Sequence, residues 1–253
     1  MTQPLPSVYA ELLASVGSTG GSLAEDLMDR DERRGVHLFH LLTLLRPLYE
    51  GLTQQREALL WLGRRPGIDD DIANLLRESA QKVLSGMETM LAEPDPRVLD
   101  EARHLMEIEF LLREFARSPE RLELWRHLPE DERAEQFEFG ALLRREQWAL
   151  GIDGRHILFD QEEYRFHSLS VHQQPRGRRR PLPSPDETTG LFRDAADLLH
   201  HASRVWDAGL AAVEATRSAR GRSAVTEWPT LDAVDAARRM IDETNRAVGL
   251  TDS

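Results

Sequence analysis

Apolar residues recur at intervals of three and four along most of the chain, the spacing of one face of an α-helix. Leucine dominates this pattern, with 38 Leu against 17 Ile and Val together. Leucine keeps its rotamers in a helix, whereas strands favour β-branched and aromatic side chains. We find no convincing alternating run of five or more residues. The pattern predicts an all-α fold, a multi-helix up-and-down bundle.

Caps, prolines and glycines divide this pattern into helices. A capping box at Ser22 and Glu25 opens the first one. Further helices are predicted over residues 47–62, 70–91, 96–116, a short stretch after Ser118–Pro119, 130–148, 160–173, 186–217 and 230–248. Residues 1–21 end in Gly-Ser-Thr-Gly-Gly, so we expect a flexible N-terminal segment with a short amphipathic piece. Residues 22–253 are expected to form a single helical domain.

Composition and charge exclude several classes of protein. The chain has no cysteine, which excludes disulfide frameworks, thiolate zinc sites and cysteine nucleophiles. No apolar run approaches 18 residues, and the start lacks a basic region followed by an apolar one. We therefore expect a cytoplasmic protein without a membrane span. The net charge of -12 argues against a uniformly basic surface for nucleic acid but allows a local basic patch.

The segment from Tyr164 to Pro185 contains five arginines and no acidic residue. Within its predicted helix, Tyr164, Ser168 and His172 follow at steps of four residues and lie along one face. Arg165 and His172 are seven residues apart and also share a face. This polar stripe leads into a basic, proline-containing loop.

Such a grouping suits RNA. The loop arginines can hold phosphates through forked hydrogen bonds. They are Arg176, Arg178, Arg179 and Arg180. His172 can move a proton near neutral pH, and Arg165 can stabilise the charge that develops on a phosphate. The alternative interpretation is structural: the stripe ties its helix to neighbouring helices, and the loop arginines are merely solvated.

The spacing Arg165-x6-His172 resembles the R-x4-6-H motif of the HEPN superfamily of small helical bundles. More narrowly, YRFHSLSVHQQP is similar to the ending of a family of uncharacterised bacterial HEPN-like proteins, and ARHLMEIEFLLREF resembles that family's R-x-L-x-E helix at Arg103, Leu105 and Glu107. The resemblance covers about residues 98–175.

The resemblance implies an HEPN-like core in a protein that binds or cleaves RNA, such as a toxin or a phage-defence component. Arg165 and His172 would be the catalytic residues of a metal-independent endoribonuclease. Tyr164, Ser168, Arg103 and Glu107 would support them, and the loop arginines would bind the substrate. Because the superfamily commonly forms its site at a dimer interface, a homodimer is also implied.

Two other functions remain open. One is a non-catalytic protein-interaction module whose bundle faces bind a protein partner. The N-terminal segment is a further candidate for contact with a protein partner. The other is a ferritin-like metal bundle, suggested by Glu101-x-x-His104 and Asp197-x-x-His200. A helical wheel turns Glu101 and His104 away from the apolar face, so we expect no metal and no cofactor.

Glu109 falls near the middle of the apolar face of its predicted helix, where an unpaired carboxylate would be costly. The many arginines of the chain offer it partners. We therefore predict that Glu109 is buried in an ion pair with an arginine or held by hydrogen bonds.

Overall fold

The computed structural model describes residues 45–92, 97–150, 163–165 and 185–247. These ranges contain eight helices and no strand, and residues 163–165 form one further helical turn. The helices are α1 (Arg46–Gly63), α2 (Asp70–Ala92), α3 (Arg97–Arg117), α4 (Glu120–His127), α5 (Glu130–Phe137), α6 (Phe139–Leu150), α7 (Pro185–Ala219) and α8 (Asp232–Ala247). The prediction of an all-α helical bundle is confirmed.

The 35-residue helix α7 lies at the centre of the bundle and packs against α1, α2 and α3. Its contact with α3 is the most extensive between any two of these helices. Leucines on its buried face, such as Leu191, Leu198 and Leu199, are almost fully excluded from solvent. One continuous hydrophobic cluster therefore connects the four helices.

Side-chain contacts fix the relative directions of the helices. Along α2, Leu76 contacts Gly209 of α7 and Gly86 contacts Leu198, so these two helices are antiparallel. Ser85 of α2 hydrogen-bonds Glu101 near the start of α3, so α2 and α3 are also antiparallel. It follows that α3 and α7 run in the same direction, with α4, α5 and α6 between them in the sequence.

Residues 130–148, predicted as one helix, form two helices that meet at Glu138, whose backbone is extended (φ -61°, ψ 153°). The break lets Phe137 and Phe139 both enter the core. Two residues apart on a continuous helix, they would point about 200° apart. Phe137 packs near Phe115, and Phe139 lies edge-on to Phe110 with ring centres 4.8 Å apart.

For the other predicted helices that lie within the described residues, the predicted and observed ends agree to within one or two residues. The N-terminal segment 1–21 and the capping box at Ser22 lie outside the described residues. None of the helices in the described ranges is both long enough and apolar enough to cross a membrane.

Candidate functional site

Residues 163–165 bring the two segments of the HEPN resemblance into contact. The hydroxyl of Tyr164 donates a hydrogen bond of 2.7 Å to Oε1 of Glu107 on α3, 57 residues earlier in the chain. The Tyr164 ring stacks on Phe139, with ring centres 4.0 Å apart and planes 7° from parallel. Two of the predicted supporting residues are therefore direct neighbours.

The other predicted residues are only partly described. Arg103 lies one turn before Glu107 on α3 and pairs with Asp100 at 3.0 Å. Arg165 is exposed, directly after Tyr164. The remaining predicted site residues, Ser168, His172, Arg176, Arg178, Arg179 and Arg180, lie outside the described residues. Their roles stay predictions.

A series of charged side chains crosses the interface of α3 and α7. Glu109 on α3 is only 2% exposed, and its Oε1 accepts hydrogen bonds from Arg113 at 3.1 Å and Arg204 at 2.9 Å. Arg113 also pairs with Glu146 of α6 at 2.9 Å. The prediction that Glu109 is buried with arginine partners is confirmed.

The same series of charged side chains continues to a buried group of two carboxyl groups and one imidazole. Nε2 of His201, a fully buried residue, lies 3.6 Å from Oε1 of Glu163 and 3.6 Å from Oδ1 of Asp197. One possible ligand atom from each of the three residues lies within 4.8 Å of the other two. Among the described residues, Glu163, Asp197 and His201 are those that could together hold a metal ion. We call these three residues the triad.

The triad is joined to the ion pairs of α3 by Arg204. Nη1 of this arginine lies 3.8 Å from Oε2 of Glu163, while its Nε is bound to Glu109. We call the whole set the polar cluster. Its described members are Glu109, Arg113, Glu146, Glu163, Asp197, His201 and Arg204.

Burial and neighbouring negative charges both raise the pKa of Asp197. Burial, together with the negative charges of Glu163 and Asp194, raises the pKa of this carboxyl to about 8, and Arg193 offsets only part of the increase. Near neutral pH these effects favour the protonated, uncharged form of Asp197.

The structure differs from the metal spacing considered in the sequence. Asp197 shares the triad with His201, four residues later, and not with His200. Glu101 instead hydrogen-bonds Ser85 and pairs with Lys82, and His104 contacts the backbone oxygen of Asp100. The sequence did contain one signal for this pair, which is the i, i+4 spacing of Asp197 and His201 on a buried helix face. Glu163 could not have been paired with them from the sequence, because 34 residues separate it from Asp197.

A surface pocket of about 400 Å³ lies between α7 and α8. Arg204 and His200 form part of its wall, together with Asp207 and Arg238. Since Arg204 also contacts Glu109 and Glu163, one side chain connects the pocket with the polar cluster.

Comparison of the chain with protein-family models, with curated proteins and with solved structures gives no match. An inference about function therefore rests on the geometry of the described residues and on the resemblance of the two motif segments.

Proposed function

We propose that this chain is an HEPN-like, cytoplasmic RNA-binding protein that cleaves RNA as a homodimer, in the manner of a toxin or a phage-defence component. The observation that supports this proposal best is the 2.7 Å hydrogen bond from Tyr164 to Glu107. Its partners come from the two segments that resemble the family, and a charged acceptor makes the bond comparatively strong. The contact holds the start of the Tyr164–His172 stripe against α3.

The proposed reaction needs only residues of this chain. His172 accepts the proton of a ribose 2′-hydroxyl, and the 2′-oxygen attacks the adjacent phosphorus. The bond from phosphorus to the 5′-oxygen breaks, and that oxygen takes a proton from the second His172 of the homodimer. The products are a 2′,3′-cyclic phosphate and a 5′-hydroxyl. Arg165, which is exposed, stabilises the negative charge that grows on the phosphate.

The remaining residues bind and orient the substrate. Tyr164 and Ser168 position the catalytic residues. The four loop arginines contact the phosphates on either side of the cleaved bond through their planar, forked donors. They are Arg176, Arg178, Arg179 and Arg180.

The test is cleavage of a labelled single-stranded RNA by the purified full-length chain. We expect His172→Ala to lower the cleavage rate about 100-fold or more, as the loss of a general acid–base does. His167→Ala, in the same segment but outside the motif, is the matched control and should keep the wild-type rate. Expression of the wild type should arrest bacterial growth, and expression of His172→Ala should not.

Cleavage that survives His172→Ala would contradict the catalytic assignment. A wild-type chain that neither binds nor cleaves RNA would contradict the whole proposal and favour a protein-interaction module. Light scattering tests the homodimer separately, since we expect twice the mass of one chain.

A further inference from the structure

The spacing of the triad atoms matches that of ligands around one ion. A separation of 3.6 Å between Nε2 of His201 and each carboxylate oxygen is too long for a good hydrogen bond. Two atoms that bind one zinc-sized cation at about 2.1 Å and a near-tetrahedral angle lie about 3.4 Å apart. The observed distances are therefore close to those of a shared coordination shell.

The positions of the three residues in the fold also suit a metal ion. Asp197 and His201 are four residues apart on α7, the spacing by which a helix presents two ligands to one cation. Glu163 approaches from a different segment of the chain. None of the three residues is exposed, and His201 is fully buried.

The charges of the polar cluster favour a divalent cation. Its described members include four carboxyl side chains and two guanidinium groups, so carboxyl groups outnumber guanidinium groups by two. Arg193 and Asp194, which also act on Asp197, add one charge of each sign. A cation at the triad would lie among this excess of carboxyl groups.

Another buried carboxylate of the chain is neutralised differently. Glu114, which is 2% exposed, has three arginine partners at 2.5 to 2.7 Å, namely Arg117, Arg121 and Arg145. In the triad a histidine faces the two carboxyl groups, and an imidazole nitrogen is a common metal ligand.

From these observations we propose that Glu163, Asp197 and His201 bind one divalent transition-metal cation. One imidazole nitrogen with two carboxylate oxygens suits Zn²⁺, Fe²⁺ or Mn²⁺ better than Mg²⁺, which prefers oxygen ligands and keeps its water. The bound cation fastens the segment that carries Tyr164 and Arg165 to α7. This role is structural, and it goes beyond the proposed cleavage of RNA.

The experiment uses the full-length chain, freed of metal by a chelator and titrated with Zn²⁺ in a calorimeter. We expect one equivalent to bind with high affinity and to raise the melting temperature by several degrees, because a ligand of the folded state stabilises it. Mg²⁺ at the same concentration should produce no comparable rise.

Two pairs of matched variants locate the site. His201→Gln should weaken Zn²⁺ binding at least tenfold, whereas His200→Gln, at the neighbouring exposed histidine, should stay within twofold of the wild type. Asp197→Asn should also weaken Zn²⁺ binding at least tenfold, whereas Asp207→Asn, on the same helix, should not weaken it. Circular dichroism checks that each variant keeps its helices, and Glu163→Gln provides a third ligand variant if either buried change disturbs them.

The proposal is overturned if the wild type binds less than one equivalent or gains no stability from Zn²⁺. It is also overturned if His200→Gln and His201→Gln weaken binding equally. No step of this test measures RNA, so its result is independent of whether the chain cleaves RNA.

Discussion

At the scale of single residues, Asp69 connects more parts of the fold than its position before α2 suggests. Its buried carboxylate accepts the backbone N–H of Asp71 at 3.1 Å, which caps α2. The same carboxylate binds Arg126 of α4 at 2.8 Å and Arg220, just after α7, at 2.6 Å. Burial alone would raise the pKa of Asp69, but the hydrogen bonds from Arg220, Asp71 and Arg126 together lower it.

We predict that Asp69→Asn lowers the free energy of unfolding by about 1–3 kcal/mol at pH 7, since it removes the charge from a buried, hydrogen-bonded carboxylate. The lower end applies if water screens the two arginines, which are about one third exposed. Asp70→Asn, at the exposed next residue, should cost less than about 1 kcal/mol. Urea denaturation measures both differences.

The pKa of Asp69 also sets the pH dependence of this effect. Because the folded-state pKa lies below the usual value of 3.8, its contribution is present above that value and is lost as the pH falls through the folded-state pKa. The difference between wild type and Asp69→Asn should therefore stay constant from pH 7 to pH 5 and shrink below pH 4. A difference that is unchanged at pH 3 would contradict this account.

At the scale of helices, a glycine permits the close approach of α1 and α8. A Cβ atom added at Gly51 of α1 would lie 2.7 Å from Cβ of Ala237 and 3.2 Å from the backbone oxygen of Ala233, both on α8. Neither atom can turn aside, because one is attached to the backbone and the other belongs to it. The two helices would have to separate.

We predict opposite effects for two glycine-to-alanine substitutions within helices. Gly51→Ala should lower the free energy of unfolding by about 1–2 kcal/mol, because overpacking at the contact of α1 and α8 exceeds the gain in helix propensity. Gly190→Ala should raise the free energy of unfolding by about 0.5–1 kcal/mol, because among the described residues an added Cβ there meets no atom within 4 Å outside its own stretch of helix. Equal effects from the two substitutions, measured by thermal unfolding, would show that packing at Gly51 is loose.

The helices could be predicted wherever the sequence marks their ends. Pro119 and the acidic residues around Asp69 mark starts, and the apolar period of three and four residues defines the buried faces between them. The break at Glu138 has no such mark, because residues 130–139 contain neither proline nor glycine. It is decided by the tertiary packing of Phe137 and Phe139, which is absent from a local pattern.

The candidate site was predictable only in part for the same reason. Tyr164 and Glu107 could be chosen because each belongs to a short motif. Glu163 belongs to none of the motifs considered, and its approach to His201 depends on how residues 163–165 dock on α7. Spacing along the helix leaves His200 and His201 as possible partners of Asp197, and the packing of the helix face places His201 beside it.

At the scale of the whole molecule, charge is unevenly distributed. The chain has a net charge of -12, yet residues 164–185 contain five arginines and no acidic residue. The field of the whole molecule repels RNA at low ionic strength, while at physiological salt distant charges are screened within about 8 Å. The proposed binding of RNA therefore depends on local contacts between phosphates and arginines.

This reasoning predicts how salt affects RNA binding by two variants with the same net charge. In the first, the four loop arginines become glutamine, namely Arg176, Arg178, Arg179 and Arg180. In the second, four exposed arginines elsewhere become glutamine, namely Arg64, Arg144, Arg238 and Arg239. Each variant loses four positive charges, so any effect of total charge on RNA binding is matched between them.

The slope of log affinity against log salt separates the two variants, because it counts the phosphate contacts that a protein makes. Each arginine that contacts single-stranded RNA contributes about 0.7 to this slope, so the loop variant should lose up to about 3. The variant with distant substitutions should keep the wild-type slope, although its affinity falls slightly at low salt. Equal slopes for both variants would show that the loop arginines do not contact RNA, because only local contacts release counterions in proportion to their number.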